Sequence, residues 1–204
     1  MPTIQFDSAA FEGRSRAERR EAAMLGMWAF LVTEALFFGP LFFGYVHGRI
    51  AQHDAFVSGS HHMHVVLGTL NTAILMTSSL TMAFSVHAAR SGKPSLRTFL
   101  LLTAILGAVF LGIKGSEYWM ESSEVAKASG GELVFYFLYF AMTGLHAIHL
   151  TIGICILAWL WWHAERFQRD YHSPVEVSGL YWHFVDIVWV FLYPMFYLIE
   201  RYSA

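Results

Sequence analysis

Three side chains with metal-binding chemistry lie in strongly apolar stretches of the sequence. Glu34 falls within residues 31–38, without a Lys or Arg within four positions, and His146 and His149 are three residues apart. Side chains at this spacing share one face of a helix, and carboxylate with imidazole suits zinc, iron or copper. Helical carboxylate metal sites use several more acids, which are missing here. We therefore favour histidines that pack and hydrogen-bond to Glu34, to hydroxyls or to the backbone.

A second polar pair lies in the last apolar run. His183 and Asp186 are three residues apart within residues 181–189, so both can face the same neighbouring helix. A buried Asp with a nearby His can share a proton or form an ion pair, which lowers the cost of keeping either group in a membrane. The spacing allows such a pair here.

Glu34 differs from the acids near the ends of the apolar runs. An isolated charge is unfavourable in hydrocarbon, so we expect this carboxyl to be protonated or tightly hydrogen-bonded. The simplest role is a structural hydrogen bond between helices, and a proton-handling or regulatory role is the alternative. A hydrophobic carbodiimide should then label Glu34 ahead of Glu117 or Glu121, which we expect to be solvated.

Histidines also cluster between the first two apolar runs. Such a group could bind a transition metal or sense pH, but a contact surface in a complex is the more common role, and we favour it. With Asp54 nearby, the cluster consists of His47, His53, His61, His62 and His64.

The elements that position these residues are transmembrane helices. Of the 204 residues, 56% are hydrophobic and 14% are charged, whereas soluble domains carry about 25% charged residues. Five apolar runs can each cross a bilayer: 24–46, 63–88, 98–119, 133–162 and 177–199. The predicted fold is an all-α integral membrane bundle of five transmembrane helices, in which residues 1–23 form a cytoplasmic N-terminal arm and residues 24–204 form the membrane domain.

The distribution of basic residues predicts the orientation. Of the 13 Lys and Arg residues, nine lie in the N-terminal arm and the second and fourth loops, and four, including Lys114, lie on the opposite side. The positive-inside rule then places the N-terminus in the cytoplasm and the C-terminus in the periplasm, with Glu117 and Glu121 near an acidic external loop. The absence of a basic block gives no support to nucleic-acid binding, and the single cysteine, Cys155, excludes Cys-rich metal sites.

Taken in order, these polar islands resemble subunit III of the haem-copper oxidases, the cytochrome c and quinol oxidases. The resemblance covers residues 26–197 and is strongest at 143–153 and 181–189. Longer members have seven spans, so this chain is similar to the shorter bacterial forms. It departs from the family at Ala147 and Ile148, where Gly and Leu are usual. The resemblance also includes Asn71, Thr72, Glu117 and Tyr118, which we expect to be structural polar residues.

The resemblance implies a subunit without haem or copper of its own, since these belong to partner chains. It would pack against catalytic subunit I, with subunit II and a small subunit IV as further partners, in the bacterial cytoplasmic membrane. It would hold phospholipids in a cleft between helices and support proton uptake and durable turnover in aerobic respiration. The expected lipid contacts are Gly39, Phe42, Phe43, Gly44, Trp182 and Arg90.

Three other functions compete with this one. An accessory protein of nitric oxide reduction, from the same superfamily, has a similar sequence, and neighbouring genes would separate the two. A self-sufficient membrane enzyme would use Glu34, His146 and His149 to bind metal, which elemental analysis would detect. A proton-coupled carrier is disfavoured because the sequence lacks internal repeats.

Overall fold

The described part of the molecule is entirely helical. The computed structural model describes residues 8–125, 128–167 and 172–199, with side chains described throughout except at 8–16, 62, 123 and 124. These residues contain no strand, which confirms the all-α prediction. The elements are α1 (Ser8–Ala51), α2 (His53–His62), α3 (Val65–Arg90), α4 (Leu96–Val125), α5 (Gly131–Trp162), a 3₁₀ turn (Ala164–Phe167), α6 (Ser173–Tyr193) and a π-helical turn (Pro194–Leu198).

Five of these helices are long and apolar enough to cross a membrane, as predicted. In hydrocarbon only a helix satisfies all of its own backbone hydrogen bonds, which is why apolar runs predict spans well. The two largest differences from the predicted boundaries are at the start of α1, which lies at Ser8 rather than near residue 24, and at the end of α4, which lies at Val125 rather than 119. The early start follows from the Ala, Arg and Glu residues in 8–23, which favour helix without being apolar. The division into an arm and a membrane domain stays a prediction.

The last span, α6, lies at the centre of the bundle. Its apolar stretch is 56% buried, against 17% for that of α1. It packs against α1, α3 and α5, and α4 fits between α3 and α5 on the side away from α1. Contact between α1 and α3 is slight, so a groove opens between them with α6 as its floor. We call the end where α1 and α6 begin the N-side, and predict that it faces the cytoplasm.

Trp182 shows why the helices around α6 come so close together. Its indole is 1% exposed and lies against Gly107 of α4 and Gly153 of α5, where an added Cβ would come within 2.8 and 3.1 Å of the ring. The indole N–H donates to the Ser78 hydroxyl at 3.1 Å, which satisfies the polar atom inside the bundle. The expectation that Trp182 contacts lipid is therefore wrong.

At the far side, the π-helical turn after α6 is held by side chains of other helices. The Tyr45 hydroxyl donates to the Met195 carbonyl, and the Ser60 hydroxyl donates to the Phe196 carbonyl at 3.1 Å. Ser60 belongs to α2, a helix inside the segment predicted to be a loop. These contacts fix Tyr197, which belongs to the polar network described below.

Candidate functional site

Glu34 and His149 form a polar contact near the middle of the membrane. The Glu34 carboxyl, on α1, lies 2.9 Å from Nε2 of His149, on α5. The Phe38 ring packs on the imidazole, and the Tyr181 hydroxyl of α6 donates to the His149 carbonyl at 2.9 Å. Glu34 is therefore bonded to a neighbouring helix, as a polar group at this depth requires.

The hydrogen bonds of His149 determine how many protons the pair holds. Nδ1 lies 2.8 Å from the Leu145 carbonyl, which can only accept, so Nδ1 carries a hydrogen. Nε2 and the Glu34 oxygen must then have one proton between them, on the carboxyl in a neutral pair or on the imidazole in an ion pair. The Glu34 carboxyl of α1 and the His149 imidazole of α5 therefore share a single proton.

His146 does not join this pair. Its imidazole is 1% exposed, packs edge-on to Phe110 at 5.7 Å and lies 5.3 Å from the Trp189 ring. Neither ring nitrogen has a hydrogen-bond partner among the described residues. The expected hydrogen bond is therefore wrong for His146, because its imidazole packs in the aromatic core between α4 and α6 and not against α1.

His183 and Asp186 are not bonded to each other, so the pair that their spacing allows does not form. Nδ1 of His183 lies 2.7 Å from the Ser79 hydroxyl of α3. Asp186 is 3% exposed and also faces α3, between the hydrogen bonds that Trp182 and Trp189 make to that helix. The two residues face the same neighbouring helix, but only His183 bonds to it, because neither carboxyl oxygen of Asp186 has a hydrogen-bond partner among the described residues.

A network that the sequence analysis missed surrounds Lys114. Its ammonium group donates to the Glu117 carboxylate at 2.9 Å and to the hydroxyls of Tyr139 and Tyr197 at 3.0 and 2.7 Å. The Tyr197 hydroxyl also donates to Glu117 at 2.5 Å. Four rings lie 4.9–5.6 Å from the ammonium nitrogen, those of Tyr118, Tyr139, Trp189 and Tyr197. The network joins α4, α5 and the end of α6 through a caged cation.

This network shows that Lys114, Glu117 and Glu121 are buried in the bundle and are not solvent-exposed residues at its external end. The three residues belong to α4 and are 4%, 0% and 2% exposed. The expectation that Glu117 and Glu121 are solvated is therefore wrong, and both are less exposed than Glu34, whose side chain is 17% exposed. The spacing of Lys114 and Glu117, three apart in an apolar run, was the available signal for a buried pair.

A second missed cluster lies at the N-side. Glu176 of α6, whose side chain is 2% exposed, accepts from Arg20 of α1 at 2.9 and 3.0 Å and from Arg90 of α3 at 2.6 Å. His172 lies 3.5 Å from the same carboxylate. This clamp joins three helices, and no local sequence pattern links Arg20 to a residue 156 positions away.

The remaining predicted polar residues serve helix packing. The Asn71 amide donates to the Phe110 carbonyl at 3.3 Å, and Thr72 accepts from the Trp189 indole at 3.0 Å. Tyr118 and Thr143 share a hydrogen bond at 2.5 Å. Each bond joins two helices, as polar side chains in membrane bundles commonly do.

The described loop histidines do not form a metal site. Among the described residues no group of three His, Cys, Asp or Glu side chains could hold an ion. His47 stacks on Phe43, and His53 lies 3.7 Å from Asp54. The side chain of His62 lies outside the described residues, and the contact surface remains a prediction.

The groove between α1 and α3 is one of the concave features near the N-side. One cavity of about 320 Å³ is lined by α1 and α6 and includes Trp28 and His183. An adjoining cavity of about 220 Å³ reaches Arg90 and Glu176. Of the lipid contacts predicted on α1, neither Phe42 nor the 73% exposed Phe43 lines these cavities, nor do Gly39 and Gly44. The groove is nearer to the N-side than expected.

Comparison with known proteins places the chain in a family. A model of cytochrome c oxidase subunit III matches residues 5–200. Cytochrome c oxidase subunit 3 of Thermostichus vulcanus is 29% identical over 204 residues, covering 98% of both chains. The subunits 3 of Artemia franciscana and Mus musculus are 31% and 30% identical, covering 93% and 92% of this chain and 74% and 73% of their own length.

The match extends from before the first span to the end of the last, and the five membrane-spanning helices agree with it. A subunit of this kind is part of a multi-subunit haem-copper oxidase. The chain belongs to the cytochrome c oxidase subunit III family.

Proposed function

We propose that this chain is the non-catalytic subunit III of a haem-copper terminal oxidase in aerobic respiration. It lies in the bacterial cytoplasmic membrane and packs mainly against catalytic subunit I, with subunit II and a small subunit IV as further partners. The haem and copper belong to those partners. The observation that carries the proposal is the family match over residues 5–200.

The arrangement of the polar groups supports a non-catalytic role. The bonds of Glu34, Lys114, Glu176 and His183 run between helices. A catalytic or cofactor site instead needs convergent groups left open to a ligand. These polar side chains inside the membrane hold neighbouring helices together.

The groove between α1 and α3 is the proposed phospholipid site. Its walls are apolar over the length of two adjoining cavities, as acyl chains require. At its N-side end, Arg20 and Arg90 are 47% and 56% exposed and share one carboxylate, which leaves a net positive charge. Basic side chains at this level attract anionic headgroups.

The shared proton of Glu34 and His149 is the proposed contribution to proton uptake and durable turnover. The pair holds one exchangeable proton near mid-membrane, on the outer part of the bundle. A proton held there can be passed to an acceptor on a neighbouring chain without leaving an isolated charge in hydrocarbon.

Co-purification tests the main proposal. A tagged chain should retain oxidase subunits whose visible spectrum shows haem and which reduce oxygen. The isolated chain should show no haem absorbance and no oxidase activity. Haem bound stoichiometrically to the isolated chain, or recovery of nitric oxide reductase chains in place of an oxidase, would show that the proposal is wrong.

Native mass spectrometry of the complex tests the lipid site. The triple variant R20Q/R90Q/E176Q removes the net charge without leaving a buried carboxylate unpaired, and it should retain less anionic phospholipid than the wild type. The matched control is R97Q, because Arg97 lies over the Trp161 ring, outside the groove. Equal lipid retention in both variants would contradict a headgroup site at the clamp.

A further inference from the structure

Glu34 and His149 open onto the outer surface of the bundle along the line where α1 meets α5. We call this line the α1–α5 seam and define it by Glu34, His149 and the flanking Phe30, Phe37 and Ile148. The two polar side chains are 17% and 15% exposed. By contrast, five other ionisable residues inside the spans are at most 4% exposed: Lys114, Glu117, Glu121, His146 and Asp186. His183 is partly exposed, but its Nδ1 lies 2.7 Å from the Ser79 hydroxyl.

The hydrogen-bonding capacity of Glu34 is only partly used. Its Oε2 atom contacts His149, and Oε1 has no hydrogen-bond partner among the described residues. Exposed hydroxyls on other faces differ in this respect. Those of Thr77, Ser116 and Thr151 donate to carbonyls of their own helices at 2.7–2.8 Å. The seam therefore offers an unpaired acceptor at the surface.

Hydrocarbon cannot satisfy such an acceptor. Acyl chains cover apolar faces as well as protein does, so exposed Leu, Ile and Phe residues do not require a partner. A carboxyl oxygen near mid-membrane is different, because ionisable groups at this depth face protein or a water-filled cavity. The side chains flanking Glu34 are large and exposed, with Phe37 at 52% and Ile148 at 57%.

From this contrast we propose that the α1–α5 seam is the docking surface for a transmembrane helix of the catalytic oxidase subunit. That helix presents a hydrogen-bond donor to Oε1 of Glu34, and Phe30, Phe37 and Ile148 pack against it. The inference rests on the proposed function for the identity of the partner. The outer face of α4 lies on the side of the bundle away from α1. In this arrangement lipid covers that face.

Site-specific photocross-linking in the intact complex tests this inference. The photoreactive residue p-benzoylphenylalanine would replace Phe37 or Ile148 in the seam. The matched controls are Ile105 and Val109 on α4, which are 50% and 44% exposed. After illumination of the membranes, mass spectrometry identifies the cross-linked peptides. We expect products with the catalytic subunit from both seam positions, in several-fold excess over the controls.

The outcomes separate the inference from the proposed function. If an oxidase co-purifies but cross-links to α4 rather than to the seam, or the seam yields only lipid adducts, the inference is overturned and the proposed function stands. If no oxidase co-purifies, the proposed function fails, and the identity of the partner fails with it.

Discussion

Replacing Lys114 with Met should destabilise the chain severely. The ammonium group is caged by four rings and bonded to Glu117, Tyr139 and Tyr197. Lys114 and Glu117 are 4% and 0% exposed, so little solvent can replace the lost cation. Removing one partner of a buried pair leaves an uncompensated charge and costs about 3–5 kcal/mol.

This cost converts to a measurable shift in the unfolding temperature. Chains of about this size lose roughly 2–4 °C for each kcal/mol, so K114M should lower the apparent Tm by roughly 6–20 °C. Thermal unfolding of the complex in nanodiscs, followed by circular dichroism and by release of this chain, measures the shift. K93M is the control, because Lys93 is exposed in the turn after α3.

A double-mutant cycle isolates the pair itself. Replacing a buried ion pair by apolar residues is often neutral or stabilising, so K114M/E117L should be more stable than K114M alone. We expect a coupling free energy of about 1–3 kcal/mol between the two sites. A K114M complex as stable as K93M, or a double variant whose losses simply add, would refute the argument that charge pairing holds α4 to α5 and α6.

Three further outcomes follow from other contacts. E34Q keeps the shape of the side chain and most of its hydrogen bonds, so the initial rate of oxygen uptake should survive while oxidase activity declines sooner over repeated turnover. Complete loss of oxygen uptake in a fully haem-loaded complex would make Glu34 part of the chemistry. E176A leaves two half-exposed arginines unpaired, so it should lower the free energy of unfolding by about 1 kcal/mol, and by less at high salt. An unchanged free energy of unfolding would argue against the clamp. G107A forces a methyl group against Trp182, costing about 1–3 kcal/mol, whereas G112A meets open space; equal stability would contradict the close packing.

The spans could be predicted because the bilayer restricts the backbone so strongly. A run of about 20 apolar residues crosses as a helix whatever its neighbours are. The ends were less accurate, since residues 8–23 are helical through propensity and α2 lies in a short segment of mixed polarity. Neither feature has an apolar pattern that would reveal it.

The site was harder to predict, because spacing gives the face of a helix and not the identity of its neighbour. His146 and His149 are one turn apart, yet only His149 reaches Glu34, while His146 lies between Phe110 and Trp189. The clamp of Arg20 on Glu176 joins the two ends of the chain. Only the packing of α1 on α6 brings them together.

The central position of α6 explains why residues 181–189 carry the resemblance so strongly. Tyr181 bonds to α5, while Trp182, His183 and Trp189 bond to α3, so adjacent positions of one helix bond to different neighbouring helices. In a bilayer the hydrophobic effect does not drive helices together, and hydrogen bonds and close packing must fix their order. A motif of Trp, His and Asp residues on the central helix therefore specifies the arrangement of the bundle. The same residue types would indicate a ligand site if their polar atoms were free to bind a ligand, and here the ring nitrogens of Trp182, His183 and Trp189 bond to α3.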